Sequence, residues 1–275
     1  RFSGRIGATL SIAESGQGLT MACRFMYICC LLWLPLAASA DTTITINLCQ
    51  SDEGDYPWTL PDRPGLNNLL IDRAAHRTGV VVRFHPMPWS RCLLKTSQGS
   101  MDGIVAASYK PERLRIGVYP LRNGQPDAER RLMRNRYLLY RRKGDAGVQW
   151  NGQRLQIDGL VGVQTGYSIA STLRQHGAKI SQTERLPIPL LDALIEGDLR
   201  AITLTAGEGE RLLADMPPYG QAVEALPLPL AEKDFYLVFS HRFQKKYPVL
   251  TEHLWQVLSK ENQSSDWKAA SASFR

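Results

Sequence analysis

One local unit occurs twice in this 275-residue chain, at 97–108 and again at 195–205: the close of a helix, a glycine, an acidic turn, a short apolar strand and then polar side chains. In the first copy Gly99 closes the helix, Asp102-Gly103 turns the chain, and Ile104-Val105-Ala106-Ala107 has the unbroken apolar character of a buried strand. In the second, Gly197 closes a helix over 190–196 and the strand runs over 200–204. An apolar strand needs cover on both faces, so a repeated helix-and-strand unit predicts two similar α/β lobes. The segment beyond the first strand is chemically distinct. Ser108 and Tyr109 offer hydroxyls, Lys110 a charge, Pro111 a pre-set turn, and Arg113 a planar fork suited to a carboxylate, past the strand end where open α/β sheets bind ligands.

The rest of the chain keeps the alternation. Residues 43–48 have the period of a strand, Leu66, Leu69, Leu70, Ala74 and Ala75 mark a helix ending at Gly79, and 80–84 is the next strand. Trp89, Leu93 and Leu94 fall at helical spacing after Pro88. A strand is expected at 115–119, a loop at 120–127 and a strand at 137–140, with the charged stretch 141–147 the best place for a boundary. The pattern then restarts: a strand at 160–163, a turn at Gly166-Tyr167-Ser168, a helix over 169–176 closed by Gly177, and a helix over 208–214 ended by Met216-Pro217-Pro218. A strong strand at 235–239 and an amphipathic helix at 248–258 complete the series. The polar tail after Lys260 is expected to be partly disordered, with Trp267 able to dock.

The first forty residues read as an over-extended start followed by an export signal. An apolar run over 25–37 comes after Arg24, and Ala38-Ser39-Ala40 has the small-residue form of a signal-peptidase site. Cys23, Cys29 and Cys30 fall in that segment, which leaves Cys49 and Cys92; in an oxidising compartment they form either one disulfide or two buried thiols. Without Arg1, Arg5, Arg24 and Glu14 the chain's 33 basic and 26 acidic residues become 30 and 25, a mild excess. The densest basic stretch, 130–143, is interleaved with tyrosine and leucine as a strand would be, so nucleic acid is not the expected partner. The five histidines are scattered without paired spacing, and neither a metal nor a cofactor is indicated.

Five segments in order carry a resemblance: an opening strand followed by Tyr56-Pro57-Trp58, Pro88-Trp89, the 99–113 unit, the 161–166 run (VGVQTG) before a helix, and a late strand ending in Phe239-Ser240. The chain resembles the type 2 periplasmic solute-binding proteins of ABC transporters, specifically the polar amino acid group of bacterial extracellular solute-binding family 3, over residues 41–262. The resemblance implies an α/β, two-lobed fold with two hinge strands and a ligand cleft between the lobes. Lobe 1 is then 41–138 with 231–275, and lobe 2 is 139–230, after the 1–40 leader. It implies Arg113 as the clamp on a ligand carboxylate and Ser108 as a polar contact. Tyr56 or Trp58 becomes an aromatic wall, and Tyr167 with Ser168 an anion seat at a helix start.

Two positions depart from the family pattern. Lys110 stands where these proteins carry Ser or Thr, and Thr205 or Ala206 stands where they carry the aspartate that receives a ligand ammonium. An ammonium partner would have to come from Asp52, Glu53 or Asp55 in the first lobe, or the ligand is another carboxylate. The function so implied is capture of a small carboxylate-bearing solute in the periplasm for an ABC permease, by a monomer without cofactor. The alternatives are an enzyme on the same scaffold, resembling cyclohexadienyl dehydratases and using Glu208, Glu210 or Asp52 as acid, and a sensor working without a transporter. The sequence holds no Ser-His-Asp order, nucleophile elbow, phosphate loop or zinc spacing for the enzyme. Gly207 to Arg211 (GEGER) reads as a helix start.

Overall fold

The two βαβαβ runs form two half-sheets with the same strand order. The computed structural model describes residues 43–274. In the first half Thr45–Ser51 lies between Val81–Met87 and Gly103–Ser108, all parallel. In the second, Leu160–Val163 lies between Lys179–Ser181 and Ala201–Thr205, again parallel. Two long strands join the halves: Ala231–Ser240 runs antiparallel to Gly103–Ser108, Met133–Arg142 runs antiparallel to Ala201–Thr205, and the two pair with each other from Ala231↔Tyr137 to Phe235↔Met133. The fold expected from the repeat is borne out, and the joining strands give the chain its two crossings between lobes.

Helices cover each half because their apolar positions recur at helical spacing. Leu66, Leu70, Ile71, Ala74 and Ala75 are the buried face of Leu66–Arg77 and pack with Ile46, Leu48, Phe239 and Trp255. In the second lobe Leu190, Leu191 and Leu194 of Pro187–Glu196 pack under Ile202 and Leu204. Each fully buried Leu or Ile of this kind contributes about 1.5–3 kcal/mol by removal from water. Gly197, at φ 97°, closes its helix in the left-handed region that glycine adopts without a Cβ clash. Trp89, Cys92 and Thr96 form the buried stripe of Trp89–Ser97, and Cys92 is disulfide-bonded to Cys49, tying the helix to the first strand.

Three local expectations change. The strand expected at 115–119 shrinks to Gly117–Val118, because the 3-10 turn Pro111–Arg115 takes its first residue and only Gly117 and Val118 find partners on Ala231–Ser240. The expected loop at 120–127 holds a small hairpin, Leu121–Arg122 with Gln125–Pro126, turned by Asn123 and Gly124, both at positive φ. The tail is ordered: Pro248–Gln263 is one helix, Ser264 caps Ser265–Ala272 by accepting from the Trp267 N–H, and Trp267 docks in the first-lobe core beside Arg73. The expected leader, with its three cysteines, lies outside the described residues. No described helix is long and apolar enough to cross a membrane.

Candidate functional site

In each half-sheet the chain enters by the middle strand and then departs to opposite sides. The carboxyl ends of the middle strand and of the third strand in chain order therefore flank a crevice that no connection covers. The loops at these two switch points face each other. From the first lobe come Ser51 at the end of one strand with Gly54 and Asp55 after it, and Ser108 at the end of the other with Arg113 after it; from the second come Tyr167, Ser168 and Thr205. Together with Trp89, Val105, Tyr137 and Phe235 they enclose a cavity of about 50 Å3. Two glycines allow the lobes to approach this closely. A Cβ on Gly166 would sit 3.2 Å from the Trp89 ring, and one on Gly207 would collide with the Tyr56 carbonyl across the cleft. Gly207 thus serves lobe contact at the start of Ala206–Asp215, while Gly209 makes room for the Tyr140 ring of the same lobe.

Arg113 is 6% exposed and spans both lobes. Its Nη1 donates to the Ser108 carbonyl at 2.8 Å and to Ser108 Oγ at 3.0 Å, and its Nη2 donates to the Gly166 carbonyl at 3.2 Å. The guanidinium carbon lies 5.4 Å from the Trp89 ring centroid, a cation–π distance. Ser108 Oγ in turn donates to Ser168 Oγ at 2.8 Å. All the bonds of this buried cation among the described residues go to neutral acceptors. A buried charge without an opposite charge is costly, and an incoming carboxylate offsets that cost by a charge-assisted pair.

Asp55 is its counterpart across the cavity. Its Oδ1 accepts from Thr205 Oγ1 at 2.7 Å, and Asn135 Nδ2 donates to both carboxylate oxygens at 3.1 Å. The position is fixed by paired backbone hydrogen bonds between Asp55 and Thr59. Burial, reinforced by the Glu208 charge and opposed by the Thr205 and Asn135 donors, pushes the carboxyl up to about 7. Glu53 is also pushed up to about 7 by burial, but it is paired: Arg185 Nη1 reaches it at 3.3 Å, Tyr167 Oη donates to it at 3.4 Å, and Gln164 Nε2 at 3.5 Å. Arg185 also holds Asp52 at 2.6 Å.

Of the residues picked from sequence, Arg113, Ser108, Tyr167, Ser168 and Thr205 come together on the cavity wall. Asp52, Tyr56 and Trp58 do not reach it. Asp52 pairs with Arg185 at the rim, Tyr56 lines a neighbouring crevice with Glu208, and Trp58 packs against the apolar clusters of both lobes. Lys110 is also outside the lining; burial and the nearby Arg113 charge lower its pKa. Asp52, Glu208 and Glu210, the acids named for an enzyme, are all absent from the cavity wall. Sequence reasoning left Asp55 as one of three alternatives and did not place Tyr137, Phe235 or Val105 in the site. Ala106, on the same wall, sits at φ 60°, a left-handed conformation rare for alanine. Among the described residues no group of three or more His, Cys, Asp or Glu side chains is arranged to hold a metal.

Neither a protein-family model nor a curated protein matches the sequence. Solved structures do resemble the fold. The GluR0 ligand-binding core from Nostoc punctiforme in complex with L-glutamate matches with a TM-score of 0.63 at 14% identity, over 83% of this chain and 98% of that one. A mutant of ArgBP from T. maritima matches with a TM-score of 0.64 at 14% identity, over 84% and 94%. A putative binding component of an ABC transporter from Wolinella succinogenes, complexed with lysine, matches with a TM-score of 0.56 at 12% identity, over 82% and 98%. The chain therefore has a two-lobed ligand-binding fold. More particularly, it is the type 2 periplasmic binding protein fold that the sequence resemblance implied.

Proposed function

We propose that the protein is a periplasmic solute receptor that captures an amino acid between its lobes and delivers it, as a monomer, to an ABC permease. The observation that carries this reading is the pair of buried, opposite charges on one cavity, Arg113 and Asp55, neither of which has an ionic partner among the described residues. A zwitterion satisfies both at once: its carboxylate meets the guanidinium and its ammonium meets the Asp55 carboxylate. Ser108, Ser168 and Thr205 orient it, and no chemical step is required of any residue. The proposed lobes are 41–138 with 231–275, and 139–230, moving about the two long strands, and the ligand favours closure because it touches both. Amino acids bound by the similar structures support the class, and the apolar run over 25–37 ending in Ala38-Ser39-Ala40 supports export.

Arg113→Ala tests the reading. The variant should fold, and the thermal stabilisation that the wild type gains from an α-amino acid should disappear; that gain is about 2.7 kcal/mol at a hundredfold excess over Kd. An unchanged melting shift in the variant would overturn the assignment.

A further inference from the structure

Among the described residues, two charged side chains line the cavity, and the zwitterion reading uses both. The next acid, Glu53, is held by Arg185 with Gln164 and Tyr167 and is not on the wall. The next cations, Lys110 and Lys233, are likewise off the wall, and Lys233 donates to the Ser168 carbonyl at 3.1 Å. A ligand side chain reaching beyond the α-carbon therefore meets no opposite charge. It meets Val105 and the rings of Tyr137 and Phe235, which pack on each other with centroids 6.5 Å apart. The lining on this side is therefore apolar and aromatic, and a neutral side chain leaves no charge unpaired there.

We infer that the ligand is an α-amino acid with an uncharged side chain. The inference rests on the zwitterion reading and narrows it. It separates this chain from the structures similar to it, whose bound molecules include glutamate and lysine. A charged side chain closed into this cavity would be buried without a partner, which weakens binding at least about 100-fold.

The test is calorimetric titration of the wild-type protein, freed of carried-over ligand by unfolding and refolding with the disulfide intact. The probes are glycine, L-alanine and L-serine, then L-glutamate, L-arginine, L-lysine and L-phenylalanine, then propionate and ethylamine as fragments bearing one charge each. The expected result is binding of at least one of glycine, L-alanine, L-serine and L-phenylalanine, with L-glutamate, L-arginine and L-lysine at least about 100-fold weaker than the best of these and the fragments weaker too. Binding of glutamate, arginine or lysine as tightly as the best uncharged amino acid would overturn the charge limit while leaving the zwitterion reading in place. Binding of propionate as tight as that of the best amino acid, or no binding of any amino acid, would overturn both.

Discussion

Replacing Asp55 by Asn removes a buried negative charge while keeping the side chain's shape. The Asp55 carboxyl is raised from 3.8 to about 7, chiefly by burial. At about 1.4 kcal/mol per pH unit, a shift of about three units is worth about 4 kcal/mol. The sign depends on which form the fold prefers. Below pH about 4 the carboxyl is protonated in both folded and unfolded protein, and its burial costs nothing relative to Asn. As pH rises toward 7 the unfolded chain ionises first, so the wild type loses stability progressively, and above 7 it carries the full penalty. Asn carries none at any pH. It retains an oxygen for Thr205 but offers an NH2 where Asn135 needs a second acceptor, a pH-independent loss of about 1 kcal/mol. Urea unfolding of the oxidised proteins from pH 4 to 8.5 should show Asp55→Asn slightly less stable at the acid end. By pH 8 it should be more stable by up to about 3 kcal/mol. Glu53 titrates in the same window but is present in both proteins, so it largely cancels in the difference. The ligand provides a second measurement. An ammonium binds the ionised form, so wild-type affinity for the tightest-binding amino acid should fall up to tenfold per pH unit below 7, and the Asn variant should bind weakly with a flat profile. A stability difference that does not change between pH 4 and 8 would refute the buried-carboxylate argument.

Two further perturbations test other parts of the molecule. Reducing Cys49–Cys92, whose partners are 43 residues apart, releases a loop closure worth about 4 kcal/mol in the chain-entropy model, so the urea midpoint should fall on reduction; an unchanged midpoint would show that the bridge adds nothing. Arg185→Ala should leave ligand preference intact and speed dissociation by roughly two- to fivefold, as expected for a half-exposed ion pair closing the cleft rim against Asp52 and Glu53. Because Arg185 opposes the burial that raises Glu53, the variant should also move Glu53 titration, tracked by carboxyl NMR, to higher pH; no movement would sink the rim assignment.

The features legible in the sequence were local. The two helix, glycine, turn and strand units sit in equivalent places of the two half-sheets, because each encodes its own caps and its own apolar strand. Arg113 was legible for the same reason: it lies five residues beyond Ser108 at the end of one of those strands and hydrogen-bonds back to it. The Asn123-Gly124 hairpin was a signal present and unread. The last helix gave no strong pattern because its cap depends on one serine and its docking on Trp267 alone.

The acid of the site was not local. Asp55 lies in the loop between the first strand and first helix, and its donors Asn135 and Thr205 come from positions 80 and 150 residues away. No periodicity connects these three residues. Sequence did register the problem they solve, since Thr205 stood where an ammonium-binding aspartate was expected. In three dimensions Thr205 Oγ1 donates to Asp55 Oδ1, so the carboxylate enters the same corner of the cavity from the opposite lobe. The exchange has a mechanical consequence. With Asp55 and Arg113 both in the proposed first lobe, that lobe alone would hold both ends of the proposed zwitterion, and the second lobe would contribute neutral donors and acceptors that engage on closure. Under the proposed function, capture by the open protein depends on charge and closure on hydroxyls, so loss of Ser168 or Thr205 should act mainly on the dissociation rate.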